Sequence, residues 1–259
     1  GLGILGGQVV AGSAWCIHWT WAFELSSVVQ LVALGLCMIF VSEPARGGRE
    51  DALQTMMENG KKYDRTLTWD GFCHAIQRNA SNRILLYQGF FSNLPWGVIF
   101  VFLNDYLSQE RGFSVPDATF LVMVFGVGCA VGGMLGGWIG QQVQHLSRIY
   151  LPLFMAASTA LGILPFLWML NSNFSNAHGL EGLLTTFLGG MIASLPAVNI
   201  RPCLLNVNPP ELRGASLTAA NLLIQLGRGI GPSCVTTMRT IFAIDRQAAF
   251  NITVSVRWS

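Results

Sequence analysis

Long apolar blocks alternate with short polar segments along this chain, and most blocks match a bilayer in length. A helix crossing hydrocarbon needs about 20 mostly apolar residues. Seven stretches fit: Gly1 to Ile17, Ala22 to Val41, Ile84 to Leu107, Ala118 to Gln141, Ile149 to Leu170, Leu183 to Val207 and Ala215 to Thr237. An eighth begins near Ala248. Backbone N–H and C=O groups in lipid must be satisfied within the segment, so each block predicts a helix. The period-two alternation of a membrane β-barrel is absent. The fold class expected is all-α, polytopic and transmembrane.

Polar residues inside these blocks are the informative ones. In the last complete block Gly214, Thr218, Asn221, Gln225, Arg228 and Pro232 follow at steps of 4, 3, 4, 3 and 4, which places them on one helix face. A central arginine costs about 2.5–3.5 kcal/mol to insert, so this face should look into a bundle or a wet cavity. Asn221, Gln225 and Arg228 are therefore candidates to line a solute path, with Arg228 binding an anionic group or a carboxylate partner. The other reading is interhelical glue, with Arg228 paired structurally. The third block offers an opposite wall through Gln88, Ser92 and Asn93, with Pro95 as a bend and Asn104 and Asp105 toward one end. Asp105 reads as an interfacial residue.

Small residues mark packing. Gly128, Gly132, Gly136 and Gly140 recur every four positions, and Gly126, Ala130, Gly133, Gly137 and Gly140 form an adjacent stripe. Glycine lets helix backbones approach closely, so this is expected to be a tight, mobile helix contact. Pro95 and Pro232 join it as candidate gating positions.

One connection is long. Ser42 to Arg83 carries Arg46, Arg49, Lys61, Lys62, Arg65, Arg78 and Arg83. The positive-inside rule places it in the cytoplasm, along with the loops at Arg148 and Arg213. Within it Thr68 is positioned to cap a short helix with Trp69, Phe72 and Ile76 on one face, lying on the membrane surface or simply solvated. Asn173-Phe174-Ser175 is a glycosylation sequon in a loop expected outside. Asn79-Ala80-Ser81 falls inside and should stay bare; Asn251-Ile252-Thr253 sits close to a span.

Composition supports this picture. The chain is 52% hydrophobic and 11% charged, against about 25% charged in soluble domains. A net charge of +2 gives no reason to expect nucleic acid. The six cysteines form no C-x-x-C, and no Cys/His cluster has metal spacing, so no metal and no cofactor are expected. No G-x-S-x-G, H-E-x-x-H or P-loop occurs, which argues against an enzyme or an ATP-driven pump. The chain starts inside an apolar run and stops in a new segment, so we expect a piece of a longer protein.

The motifs together resemble the major facilitator superfamily. Gly1-Leu-Gly-Ile-Leu-Gly-Gly and His18-Trp-Thr-Trp-Ala-Phe are similar to that family's fifth helix and the turn before its sixth, with Thr20 where Arg is usual. Glu43-Pro-Ala-Arg-Gly resembles the exit from helix six. Gly136-Gly-Trp-Ile-Gly, followed by Arg148, resembles the loop motif between helices eight and nine, with Gln141 in place of its acid. Asn206-Val-Asn-Pro-Pro-Glu-Leu-Arg-Gly, which contains Glu211, Arg213 and Gly214, and Leu226-Gly-Arg-Gly-Ile-Gly-Pro resemble the turn from helix ten into helix eleven of spinster-like members. The resemblance implies helices five to eleven. Residues 1–42 would end one bundle, 43–83 would link the bundles, and 84–259 would form most of the second. It also implies a secondary transporter of a small organic solute, anionic or lipid-like, working by alternating access with a coupling proton or ion. A receptor or scaffold on the same fold, or a membrane enzyme with its site elsewhere, stays open at this point.

Overall fold

The computed structural model describes residue 7 and residues 20–42, 68–147, 149–171 and 177–256. Apart from Gly7, the first expected span lies outside these, as do residues 43–67, Arg148 and the sequon at Asn173. Every element among the described residues is helical: α1 (Thr20–Phe40), α2 (Trp69–Arg78), α3 (Ala80–Phe91), α4 (Leu94–Gln109), α5 (Val115–Leu146), α6 (Tyr150–Asn171), α7 (Leu180–Ser194), a 3-10 turn (Ala197–Asn199), α8 (Ile200–Val207), α9 (Pro210–Phe242) and α10 (Arg246–Val256). Among the described residues five stretches are long and apolar enough to cross a bilayer: Phe23–Phe40, Ala80–Gln109, Val115–Leu146, Tyr150–Asn171 and Leu180–Val207. The 33-residue α9 is longer than any of them but carries the polar stripe. It runs along α3 and α4 as a member of the same bundle.

Two expected spans are not single helices. The third divides at Ser92–Asn93, and the sixth divides at Leu195–Pro196 before a 3-10 turn. At both breaks an asparagine side chain takes over a carbonyl freed from α-helical bonding. Asn93 donates its backbone N–H to Phe90 O (3.1 Å) instead of Gly89 O, and its Nδ2 then donates to the abandoned Gly89 carbonyl (2.7 Å). Asn199 repeats this. Its N–H donates to Pro196 O (3.1 Å), and its Nδ2 donates to Leu195 O (3.2 Å) and to Gly136 O of α5 (3.0 Å). Freed carbonyls in hydrocarbon need such donors.

The helix starts follow from their caps. Asn79 accepts from Ser81 N (3.1 Å) ahead of α3. Ser114 accepts from Asp117 N (3.3 Å) ahead of α5, with Pro116 in the first turn. Thr68 Oγ1 accepts from Gly71 N (3.3 Å), so the expected cap of α2 is present. Along α2, Trp69 is exposed while Ile76 packs against the apolar cluster of α3, α6, α8 and α9. Gly112, at φ +72°, turns the chain between α4 and α5 in a conformation open mainly to glycine.

Packing is organised by glycine. A Cβ on Gly128, Gly132 or Gly136 would come within 2.0–2.4 Å of the carbonyl of Phe187, Met191 or Leu195, so α5 and α7 touch backbone to backbone. Gly140 meets the Asn199 amide in the same way. The segment from Gly136 to Gly140, expected as a loop motif, is the last part of helix α5. The turn motif is likewise mostly helical: Glu211, Arg213 and Gly214 lie in the first turn and a half of α9.

Each end of the bundle is tied by polar contacts that the sequence reading did not assign. At the end where α3 begins, Asn82 and Asn208 exchange amide bonds (2.9 and 3.1 Å) while fully buried. Arg213 Nε donates to Leu205 O (3.2 Å) and Asn208 O (3.3 Å). At the opposite end Asp105 is not merely interfacial. The buried Arg246 guanidinium pairs with Asp105, lies 3.5 Å from Glu110 and covers the Phe102 ring at 5.2 Å. Tyr106 donates its hydroxyl to Leu170 O (2.9 Å). Asn251, the sequon residue near the last helix, exchanges amide bonds with Asn171 (2.9 and 3.1 Å).

Candidate functional site

A cavity of about 590 Å³ opens between α3–α4, α5, the α7–α8 break and α9. Its wall is mainly apolar. Trp96, Ile99 and Phe100 come from α4, and Val122, Phe125 and Gly126 from α5. Ser194, Pro196 and Ala197 come from the second helix break, and Gln88, Ser92 and Asn93 from the first. Arg228 is the charged side chain in this wall.

The local sequence explains why Arg228 sits there. α9 crosses the first helix break through Gly227 and Gly231, where added Cβ atoms would stand 2.3 Å from Phe90 O and 2.1 Å from Leu94 O. A Cβ on Gly97 would reach Arg228 O at 2.0 Å. The two backbones are therefore in contact, and the intervening Arg228 is directed along the break. Its Nε donates to Asn93 Oδ1 (3.1 Å), the atom left over after Asn93 has used its Nδ2 on Gly89. Its NH1 reaches Gln225 Oε1 (3.4 Å), and its Cζ lies 5.6 Å from the centre of the Phe100 ring. Among the described residues, no carboxylate pairs with it. The cation is thus held by neutral dipoles and a ring face, and its charge remains uncompensated beside the cavity.

Gln88, Asn93 and Arg228 therefore come together, although 135 residues separate Asn93 from Arg228 in sequence. Asn221 and Gln225 share the α9 face but are exposed and lie outside the cavity lining. Pro95 is buried in the first turn of α4, beside the break, and Pro232 lies inside α9 just past Gly231. The glycine stripe divides its work. Gly128 and its partners seal α5 against α7, whereas Gly126, Ala130 and Gly133 of the adjacent stripe form cavity wall. Sequence reasoning missed the lining residues of the second break. A signal was present, because Asn199 lies three residues after Pro196 within an apolar run, as Asn93 lies two before Pro95.

The family model described as Major Facilitator Superfamily matches residues 1–232. The chain is 28% identical over 156 residues to a sphingosine-1-phosphate transporter of Danio rerio, a match covering 57% of this chain and 29% of the relative. It is similar to the crystal structure of a bacterial homolog of the human lysosomal transporter Spinster, in an inward-facing, unoccupied conformation. That likeness has a TM-score of 0.54 and 15% identity, and covers 98% of this chain and 61% of the other. The chain thus spans less than two thirds of the length of either.

Proposed function

Because this chain belongs to the Major Facilitator Superfamily and is an integral, multi-pass membrane protein, we propose that it serves to move a small organic anion across a membrane. The cavity beside Arg228 is one wall of the site that carries the solute. The observation behind this reading is the guanidinium itself. It stands among apolar side chains, with amide oxygens rather than a carboxylate as partners. Burying a cation without a counter-charge is unfavourable, and an anionic group entering the cavity would relieve that cost. The Trp96, Phe100 and Phe125 surfaces suit an apolar part of the same solute. The Danio rerio relative, a sphingosine-1-phosphate transporter, handles a solute of this kind.

In this reading two bundles rock to give alternating access, residues 84–259 belonging to one, 1–42 to the other and 43–83 to the link between them. Family and fold favour a transporter over an enzyme. The test is flux of anionic amphiphiles into liposomes carrying the full-length protein. Arg228→Ala should cut flux at least tenfold while membrane insertion and yield stay normal. Undiminished flux would remove Arg228 from the mechanism.

A further inference from the structure

We infer that Trp96 is a second recognition point in this cavity: its indole N–H donates to an acceptor oxygen, such as a carbonyl, in the chain of the anionic solute. The inference rests on the reading of Arg228 as the anion site. Trp96 lies in the first turn of α4, just after the break, and is 8% exposed. It lines the cavity, and the surface it keeps borders that space. Among the described residues no acceptor pairs with its Nε1–H. The nitrogen is also within reach. Among the described residues the unpaired buried side-chain atoms with no accessible surface are Gln88 Oε1 and Ser216 Oγ, and Trp96 Nε1 is not one of them.

Its neighbours explain why the donor stays open. The Phe100 ring centre stands 5.6 Å from that of Trp96 and the Phe125 centre 6.0 Å, and neither ring carries a lone pair to accept the proton. Asn93 is already committed, its amide nitrogen to Gly89 O and its oxygen to Arg228 Nε. A buried indole N–H usually has a partner, so one left open at a cavity wall calls for a partner supplied from the cavity. Indole nitrogen only donates, so that partner is an acceptor. A purely apolar chain entering the cavity displaces water and leaves the N–H unpaired, whereas a carbonyl in the chain restores the bond. Sites built to bond a polar group of the substrate discriminate against analogues that lack it, for the same reason. Phe100 also sets the span. Arg228 Cζ and the Trp96 ring centre each lie 5.6 Å from the Phe100 ring centre, so the two recognition points are at most about 11 Å apart.

Two probes test this against the full-length protein in nanodiscs: a monoalkyl phosphate with a twelve-carbon chain, and the same compound with a ketone at its fifth carbon, inside that span. A ketone accepts hydrogen bonds and donates none. The keto probe should bind the wild type about fivefold more tightly. Trp96→Phe keeps an aromatic ring and removes the N–H, so it should bring the two affinities level. Whatever the smaller ring costs falls on both probes and leaves their ratio untouched. Trp138→Phe, at an exposed position outside the cavity lining, should keep the wild-type ratio. The wild type also gives a readout that needs no variant: one indole N–H proton signal should move downfield in the NMR spectrum when the keto probe replaces the plain one. Equal binding of both probes to the wild type, a preference that survives Trp96→Phe, or indole signals that stay in place would overturn the role of Trp96 and leave the anion site standing. If neither probe binds the wild type, the reading of Arg228 falls and this one with it.

Discussion

The two helix breaks in this bundle use the same local chemistry and reach opposite ends. At both, an asparagine gives its backbone N–H to the third residue before it and its side-chain amide to the fourth. At Asn199 the second amide hydrogen bonds Gly136 O, and the Asn199 amide fills the space beside Gly140. The Asn199 side chain is thus closed against a glycine stripe, although Ser194, Pro196 and Ala197 of the same break still line the cavity. At Asn93 the amide oxygen instead meets Arg228, and the break opens onto the cavity. The local chemistry is shared; the helix packed against each asparagine decides whether its amide closes a helix contact or orients a cation.

Four measurements would sharpen or break this comparison. The largest effect belongs to the sealed side. Gly132→Ala would drive a Cβ to within 2.0 Å of Met191 O, in a contact where both backbones are fixed. A loss of about 2–3 kcal/mol is expected from such overpacking, seen as a lowered thermal midpoint in detergent. Gly137→Ala, which meets nothing within 4 Å, should be neutral or gain up to about 1 kcal/mol from helix propensity. Equal losses at the two positions would contradict the α5–α7 register.

Asn199→Ala comes next. It strips the donor from the Leu195 and Gly136 carbonyls in a buried place, which should cost about 1–3 kcal/mol. Anion binding should persist, because the contact is structural. Asn93→Ala reverses the balance. Water in the cavity can replace its bond to Gly89 O, so the thermal midpoint should fall by less than for Asn199→Ala. Solute binding should weaken about tenfold, because Arg228 loses the acceptor that orients it. If both asparagines give the same pattern, the breaks do not differ in function. The smallest effect is that of Gly229→Ala, which with open space around it should leave stability within about 1 kcal/mol, whereas Gly231→Ala faces Leu94 O at 2.1 Å and should cost as much as Gly132→Ala.

Much of this was legible in the residues. The spans, the glycine stripe and the stripe of α9 follow from period and from the cost of polar groups in lipid, which act locally. Gln88, Asn93 and Arg228 were legible as polar intrusions, and the resemblance to the superfamily stands with the match over residues 1–232. Asn82, Asn208 and Arg246 were not, because each lies near the end of a span, where a polar residue needs no explanation until its partner 126 or 141 residues away is known.

Sequence alone therefore determined that the chain is a set of membrane helices, and which faces of them lipid would refuse. Hydrophobic period and backbone hydrogen bonding impose that without reference to any partner. Tertiary structure alone decided that Arg228 meets Asn93 and not a carboxylate, and that Asn221 and Gln225 stand outside the cavity. It also decided that the Asn199 amide is spent on α5 while the Asn93 oxygen meets Arg228 at the cavity. Those outcomes depend on which glycine of a crossing helix meets which carbonyl, a register fixed only when two distant segments come into contact.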